Sequence, residues 1–521
     1  MTREELLQID REQLIGLVLD AQAQRAALDA RLQSVEQQIR WFQKQLFGAK
    51  SKRRIVTDDS SQLCLGEAAA PSPGPTPAAT PVRGHTRRKS KVTDEPEEPG
   101  LRFDESVPVE TIQIPNHELE GLPEDGCAEV SEKINYRLAQ KPGAYVVLKI
   151  VRKTVKRKDT EQLLCPAAPA SVLEKSYADV SLLAGMLVDK FRYHLPLYRQ
   201  HQRMRACGLE VSRSSLSNWV KRSIELLEPI YREQLASILE SQVLSMDETP
   251  IRAGRKAKGK MRTGYFWPVY GDRDEVAFPY ASSRAQRHVE EILMGYDGTL
   301  LSDGYSAYGR YAERHEKLVH ALCWVHARRG FVKALDVEPE RSKTALDFIA
   351  TLYEHEEVIQ EKELEGVPKL EVRAQRSKPV VEALFVWLEQ ELVQSALLPT
   401  NPFTKAALYA LDRKKGLEVF LADPDVPLDT NHLERALRVI PMGRKNWLFC
   451  WTEVGAHQVG QIQSLLATCV LHDVDPYTYL VDVLQRVAEH PQSKVDQLTP
   501  RLWKEHFADA PLRSMLERTP R

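Results

Sequence analysis

The sequence predicts a mixed α/β core that is interrupted by a helical insertion and preceded by three smaller regions. Apolar runs at residues 242–246 and 299–302 predict buried strands, and each run is followed by an aspartate. A heptad pattern within residues 5–47 predicts a long N-terminal helix, and residues 195–227 carry a helix-turn-helix pattern. These observations order the chain as a coiled-coil helix, a small β-rich module, a helix-turn-helix domain and the core.

The composition fits a soluble globular protein of several domains. The chain has 521 residues, of which 42% are hydrophobic and 28% charged, with a formal net charge of −1. A net charge near zero gives no overall indication of nucleic-acid binding, so any basic binding surface must be confined to part of the molecule. Apolar runs are too short for a membrane span, the N-terminus lacks a signal-peptide pattern, and seven scattered cysteines favour a reducing compartment. We therefore expect a cytoplasmic protein with no membrane partner.

Residues 1–54 predict one leucine-rich helix with a coiled-coil seam. Apolar residues alternate in steps of four and three at Leu28, Leu32, Val35, Ile39, Phe42 and Leu46. Because one such helix has no partner within the chain, we expect a homo-oligomer formed through this seam. The alternative is an amphipathic helix that docks on the chain's own body. Residues 55–105 follow as a linker that is too rich in proline and charge to fold.

Residues 106–168 predict a small β-rich module. Apolar and basic residues alternate along residues 144–158, which predicts a strand with one buried and one positive face. Cys127 and Cys165 flank the module. A zinc site requires four ligands, usually in C-x-x-C pairs, so the sequence argues against zinc.

Residues 169–235 predict a helix-turn-helix region. Residues 197–205 form the first predicted helix, Gly208 permits a sharp turn, and Ser212 is a candidate N-cap of the second helix. The outward face of the second helix carries polar and basic groups suited to DNA at Arg213, Ser217, Asn218 and Arg222. The alternative is a purely structural helical hairpin.

The predicted core begins with a strand that ends at Asp247. A basic loop at residues 251–262, a strand pair joined by a turn at Gly271, a helix, and a strand ending at Asp303 come next. This order is expected of a ribonuclease-H-like catalytic core. The predicted boundaries are the core at 236–342 and 426–455, a helical insertion at 343–425, and a C-terminal helical region at 456–521 that ends in a surface helix around 501–518.

Asp247, Asp303 and Glu434 are the candidate catalytic and metal-ligating residues. A rigid sheet can aim carboxylates at strand ends toward one point, and converging carboxylates bind the paired Mg²⁺ ions, or Mn²⁺, that cut and rejoin phosphodiester backbones. A single acidic residue at a strand end is most often a turn or cap residue, and Glu434 could instead pair with Arg438 on a surface helix. Glu248 is expected to point away from Asp247 if the strand continues through it, because side chains alternate along a strand, and it is treated as a neighbour and not a ligand.

Further candidate DNA contacts lie close to these acids in sequence. Their basic side chains are suited to phosphate groups, and they are Arg328, Arg329, Arg435, Arg438, Arg444 and Lys445. Residues 447–450 predict a short apolar strand. Cys323 and His326 form a C-x-x-H, but too few ligands lie near them for zinc. We expect both to pack or hydrogen-bond behind the site.

At these positions the chain resembles bacterial DDE transposases of the insertion-sequence-sixty-six family. The segments SMDETPI, LLSDGYSAY, HALCWVHARRGF and NHLERALRVIPMGRKNWLF are similar to that family's core blocks in the same order. QLFGAKSKRR and HDVDPYTYLVDVL are similar to its terminal segments. The resemblance implies that Asp247, Asp303 and Glu434 form the catalytic triad and that the substrates are transposon ends and target DNA. Accessory proteins of the same element are candidate partners.

The resemblance therefore predicts a DNA transposase that performs metal-dependent strand cleavage and strand transfer. The alternatives are a catalytically inactive DNA-binding derivative and a ribonuclease-H-like nuclease. The family's two C-x-x-C pairs are absent here, so its zinc is not carried over. The family's Asp-Asn-Asn before the glutamate is Asp429-Thr430-Asn431 in this chain.

Overall fold

A computed structural model of the protein describes residues 101–518, except 104, 106, 117–126, 142–143, 258–259, 396, 448–449 and 451. The predicted coiled-coil helix and most of the predicted linker lie outside the described residues. In the part that is described, no helix is both long enough and apolar enough to cross a membrane.

Strands are concentrated in the first half of the described chain. They are β1 (Arg102–Phe103), β2 (Val109–Ile114), β3 (Cys127–Lys141), β4 (Ala144–Arg157), β5 (Leu163–Leu164), β6 (Leu209–Glu210), β7 (Val243–Met246), β8 (Thr249–Ala257), β9 (Lys260–Phe266), β10 (Val269–Tyr270), β11 (Val276–Ala277), β12 (Tyr280–Ala281), β13 (Thr299–Ser302) and β14 (Val319–Leu322).

Helices precede, flank and follow these core strands. They are α1 (Val180–Phe191), α2 (Leu197–Ala206), α3 (Arg213–Leu226), α4 (Glu228–Leu239), α5 (Arg287–Leu293), α6 (Ser306–Arg314), α7 (Trp324–Ala334), α8 (Pro339–Glu361), α9 (Gly366–Val372), α10 (Lys378–Gln394), α11 (Pro402–Leu411), α12 (Lys414–Leu417), α13 (Asn431–Leu437), α14 (Val439–Trp447), α15 (Glu453–Leu471), α16 (Pro476–Arg486), α17 (Pro500–His506) and α18 (Met515–Arg518). A π-helical turn joins α9 to α10, and 3₁₀ turns follow α12 and α16.

The central sheet has five strands in the order β11-β10-β7-β13-β14. β7, β13 and β14 run parallel, whereas β10 is antiparallel to both β7 and β11. Successive residues of a strand face opposite sides of a sheet. Val243 and Leu301 therefore pack with α7, α8, α10 and α11, while Leu244 and Leu300 pack with α4, α5 and α6. Helices on both faces explain why every residue of β7 and β13 is buried.

The prediction of a basic loop at residues 251–262 is wrong. The segment forms most of an antiparallel hairpin of β8 and β9, which joins β12 in a second, three-stranded sheet. Its inward positions are apolar, and Ile251, Ala253 and Phe266 are each at most 1% exposed. The basic residues between them obscured this alternation in the sequence.

The β-rich module is a four-stranded sheet in which β4 lies between β2 and β3, and β5 also pairs with β4. The expectation that one face of β4 is positive and exposed is wrong for its first half. Val147 belongs to the large helical core on one face, while Val146 and Leu148 pack with Leu516 of α18 on the other. Because both faces are covered there, that half of the strand has no exposed face.

The helix-turn-helix segment has the predicted local structure. Gly208 has a φ of +80°, a conformation that L side chains rarely adopt, and it lies between α2 and α3. The Ser212 hydroxyl accepts a hydrogen bond from the Ser215 N–H and caps α3, and Trp219 is fully buried. These contacts fix the turn and leave the outward face of α3 to solvent.

Two predictions near the C-terminus differ from the structure. The strand predicted at 447–450 begins inside a helix, because α14 continues to Trp447; Cys450 makes an isolated bridge to Ala253, and residues 448–449 lie outside the described residues. Residues 501–518 are not one surface helix but α17 and α18 with a turn between them. Asp482 organises that turn, since its carboxylate accepts hydrogen bonds from the Trp503 indole and the Leu512 N–H.

Candidate active site

Asp247 and Asp303 follow two adjacent parallel strands of the central sheet. In the pairing of β7 with β13, Ser245 lies opposite Leu301. Both aspartates come two residues later in the chain, so the same offset places them side by side at the carboxyl ends of these strands. The Tyr305 N–H donates to the Asp303 carboxylate at 2.8 Å, which fixes its orientation. The sheet thus brings together two acids that are distant in sequence.

Glu248 joins these two acids, and the expectation that it points away is wrong. Asp247, Glu248 and Asp303 each place a carboxylate oxygen within 4.8 Å of the others. β7 ends at Met246, and the Asp247 N–H donates to the Pro268 carbonyl at 3.3 Å outside the strand ladder. Because the chain turns there toward β8, strand alternation does not extend through Glu248. We call Asp247, Glu248 and Asp303 the acidic cluster.

The Glu248 side chain is only 5% exposed, and two neighbours hold it. The Tyr308 hydroxyl donates to one carboxylate oxygen at 2.9 Å, and the Arg284 guanidinium pairs with the other. Arg284 in turn lies over the Tyr305 ring, 3.8 Å from its centroid. These contacts fix the third carboxylate of the acidic cluster.

The electrostatics of the acidic cluster suit a divalent cation. Burial, with smaller contributions from the charges of Glu248 and Asp303, raises the pKa of Asp247 to about 7. Burial, then the charge of Asp303, likewise raises the pKa of Glu248. A bound cation would relieve this repulsion, and carboxylate oxygens are the ligands that Mg²⁺ and Mn²⁺ prefer. The donor set therefore fits such an ion.

Glu434 lies in the first turn of α13, near the acidic cluster but outside it. Its carboxylate accepts a hydrogen bond from Arg329 of α7 at 3.2 Å, so the suggested partner Arg438 is not the one observed. Among the described residues, the group of carboxylates within 4.8 Å of one another does not include Glu434. Its charge nevertheless contributes to the raised pKa of Asp247. Glu434 is thus within electrostatic reach of the cluster, and its role as a ligand stays a prediction.

Cys323 directly follows β14, and His326 lies in the first turn of α7. The Cys323 thiol is buried and accepts a hydrogen bond from the Thr430 hydroxyl at 3.3 Å. His326 has a buried Nδ1 with no hydrogen-bond partner among the described residues, and burial lowers its pKa. The described residues place no third metal-ligand side chain with this pair.

The candidate DNA contacts fall into two groups. On α3, Arg213, Ser217 and Asn218 are exposed, whereas Arg222 is half-buried and donates to the Glu174 carbonyl. The second group lies on α7, α13 and the segment up to the end of α14. Its exposed members are Arg328, Arg329, Arg435, Arg438 and Lys445, while Arg444 donates to the Pro250 carbonyl. The contact of Arg329 with Glu434 places part of the second group beside Glu434, whose charge reaches the acidic cluster.

Sequence reasoning missed Glu248, Tyr308 and Arg284. Adjacency to Asp247 was the available signal for Glu248, and strand alternation argued against it. Tyr308 follows Asp303 by five residues, so it belongs to the helix that leaves the same strand end. Arg284 had no local signal, because its position depends on the tertiary packing of Tyr305.

Tyr308 is expected to act as a positioning residue for the cation site. Tyr308→Phe removes a donor to Glu248, and partners of metal-ligating groups typically contribute 10- to 100-fold to metal affinity. We therefore expect about 10-fold weaker Mn²⁺ binding in calorimetry without DNA. Tyr311→Phe is the matched control, because Tyr311 is equally buried on α6 and donates to the Tyr296 carbonyl instead. Equal affinities for the two variants would contradict this role.

The mixed α/β architecture and the acidic cluster are consistent with a transposase domain. The chain belongs to the Transposase IS66 family: the family model matches residues 175–458, and that of the IS66 C-terminal element matches residues 464–501. The protein is 31% identical over 401 residues to the uncharacterized protein y4hP of Sinorhizobium fredii, which covers 72% of each chain. It is also 31% identical over 357 residues to the uncharacterized protein y4jD of that organism, covering 65% of this chain and 68% of that protein. The family resemblance found in the sequence is thus confirmed.

Proposed function

We propose that the protein is a DNA transposase that binds transposon ends and catalyses metal-dependent strand cleavage and strand transfer. The observation that carries the proposal is the acidic cluster at the ends of adjacent parallel strands, in a chain of the IS66 transposase family. Family membership implies a polynucleotidyl transferase that acts on DNA. The cluster supplies the carboxylates that such chemistry requires.

The proposed core is ribonuclease-H-like. Its support is the sheet order, in which β7, β10 and β11 form consecutive antiparallel neighbours. β13 and β14 then add in parallel on the other side of β7. Along the chain, β7, the β10–β11 pair, α5 and β13 follow the predicted order, with the β8–β9 hairpin and β12 inserted and β14 added.

In the proposed mechanism Asp247 and Asp303 would hold Mg²⁺, with Glu434 as the third ligand that the family implies and Glu248 as a further carboxylate of the acidic cluster. Bound Mg²⁺ would supply an activated oxygen nucleophile and neutralise charge on the leaving oxygen. The side chains of Tyr308 and Arg284 fix Glu248, and the N–H of Tyr305 orients Asp303. No side chain needs to become covalently attached to DNA. Water would hydrolyse a phosphodiester bond at the transposon end and free a 3′-hydroxyl. That hydroxyl would attack a phosphorus of target DNA, and the target's 3′-oxygen would leave as the new phosphodiester forms.

Incubation of a labelled transposon end and a target duplex, with Mg²⁺ present or withheld, tests this function. The proposal expects nicked ends and joined products only when the cation is present. Cleavage without joined products would favour a nuclease. End binding without cleavage would favour the inactive DNA-binding derivative.

The exposed face of α3 is proposed to contact bases of the transposon end. Replacing Asn218 with alanine should weaken binding of the end by about 1–3 kcal/mol and binding of unrelated DNA much less, since base contacts carry sequence information. Gln202→Ala, an exposed amide on α2, is the control. Fluorescence anisotropy with both duplexes measures the difference, and equal losses on them would argue for a backbone contact instead.

Self-association is proposed through the predicted N-terminal helix. Pairing of two protomers would allow two transposon ends to be processed together. Accessory proteins of the same element are further candidate partners.

A further inference from the structure

The β8–β9 hairpin begins directly at the acidic cluster. β8 starts at Thr249, the residue after Glu248, so the hairpin leaves the site without an intervening loop. Six basic residues occur between 249 and 271, and this stretch contains no aspartate or glutamate. The function proposed above does not use this charge.

One face of the hairpin is fastened to the body of the protein. Ile251, Ala253 and Phe266 belong to the same buried core as Ala456 and Val459 of α15. The Cys450 N–H donates to the Arg252 carbonyl at 2.8 Å, and Arg262 pairs with Glu453 at 3.2 Å. The hairpin is therefore packed against the body of the protein and does not project from it as a free loop.

The rest of the hairpin surface, including both faces of its distal part, is basic and exposed. Arg252, Arg255, Lys256 and Lys260 all have exposed side chains. Arg252 donates to the Thr263 hydroxyl across the strand pair, which leaves the rest of its guanidinium at the surface. Lys445 at the end of α14 is also exposed, and its neighbour Arg444 donates to the Pro250 carbonyl. The positive surface thus includes the end of α14.

The basic part of the hairpin is extended along the strand. Arg252 to Lys256 of β8 cover about 13 Å at the usual strand rise. A turn of B-DNA is about 34 Å long and carries phosphates along its whole length. The basic segment of β8 can contact several phosphates, whereas a small anion would engage only one or two of its side chains.

We propose that the β8–β9 hairpin binds the sugar-phosphate backbone of duplex DNA beside the acidic cluster, independently of sequence. The proposal rests on the proposed function, because it takes DNA as the substrate of the adjacent site. Its role is to hold the DNA that flanks the reacting phosphate, while α3 reads the sequence of the end. Backbone contacts position a duplex and carry no direct sequence information.

The test measures DNA affinity as a function of NaCl concentration, with EDTA present so that no cleavage occurs. The hairpin variant combines Arg255→Gln, Lys256→Gln and Lys260→Gln. The control variant has the same change in net charge on the helical insertion and combines Lys343→Gln, Lys362→Gln and Lys378→Gln, all exposed. Both are measured on a transposon-end duplex and on an unrelated duplex, after circular dichroism has confirmed their folding.

Each lost phosphate contact should reduce the slope of log K against log salt by about 0.9, so the hairpin variant should lose about 2 to 3 in slope. The loss should be the same on both duplexes, and the control slope should not change. Equal changes of slope in the hairpin and control variants would show that only the net charge of the protein attracts DNA, and this would overturn the proposal. An unchanged slope in the hairpin variant would overturn it as well. If wild-type protein fails to cleave but the hairpin variant alone loses slope, the function proposal fails and this inference stands.

Discussion

Replacing Asp303 with asparagine is expected to abolish cleavage of transposon ends and to leave end binding nearly unchanged. The substitution removes one charged oxygen donor from the acidic cluster and no phosphate donor. The amide oxygen can still accept the hydrogen bond from the Tyr305 N–H, so the local turn is retained. Loss of several kcal/mol of charge stabilisation corresponds to a rate decrease on the order of 10³-fold or more. Cleavage of a labelled end with Mg²⁺ and gel-shift binding in EDTA measure the two quantities separately.

Asp297→Asn is the matched control for this experiment. Asp297 lies two residues before β13, at the opposite end of the strand that Asp303 follows, and it is exposed beside Lys317. The same chemical change there should leave both cleavage and binding intact. Retained cleavage in Asp303→Asn would refute the metal assignment. Equal loss of cleavage and binding would indicate a structural role for Asp303.

The parts of the site that the sequence predicted are those set by strand ends. The apolar runs before Asp247 and Asp303 form short, buried, parallel strands. Each aspartate comes two residues after a pair of residues that lie opposite each other, Ser245 and Leu301, so the two aspartates also lie side by side. A local pattern therefore determined where each carboxylate lies. The cap at Ser212 was predictable for the same reason, because a helix N-cap depends on residues close in sequence.

The parts that the sequence did not predict depend on contacts between distant segments. Glu248 enters the cluster because the chain turns after Met246, and Tyr308 and Arg284 then hold it. The pairing of Glu434 with Arg329 joins residues on two different helices. A helix periodicity offers only partners three or four residues away, such as Arg438. Tertiary packing replaced that local partner with a distant one.

The basic segment after Glu248 shows a second limit of pattern reasoning. Strand assignment relied on apolar alternation, and basic residues at the outward positions weakened that signal. The inward positions, at Ile251 and Ala253, were sufficient to fold the segment onto α15. Apolar alternation alone therefore fails to identify a strand whose exposed positions are charged.

Replacing Arg373 with methionine is expected to destabilise the helical insertion strongly. Arg373 lies in the π-helical turn between α9 and α10 and is 0% exposed. Its guanidinium makes two hydrogen bonds with the Glu356 carboxylate, at 2.8 and 2.7 Å, and donates to the carbonyls of Phe420 and Asp423. Removal leaves the Glu356 charge and two carbonyls without this partner. Breaking a buried ion pair from one side costs about 3–5 kcal/mol in the free energy of unfolding.

Urea denaturation, monitored by tryptophan fluorescence, measures this loss of stability. Arg376→Met is the matched control, because Arg376 is exposed on the same turn. The control should change the unfolding midpoint little. Adding Glu356→Gln to Arg373→Met should restore part of the lost stability, since the isolated negative charge is then removed. Equal midpoints for the Arg373 and Arg376 variants would contradict the structural role. A double variant as unstable as Arg373→Met alone would instead assign the loss to the carbonyl contacts and packing of Arg373, because the Glu356 charge would then contribute nothing.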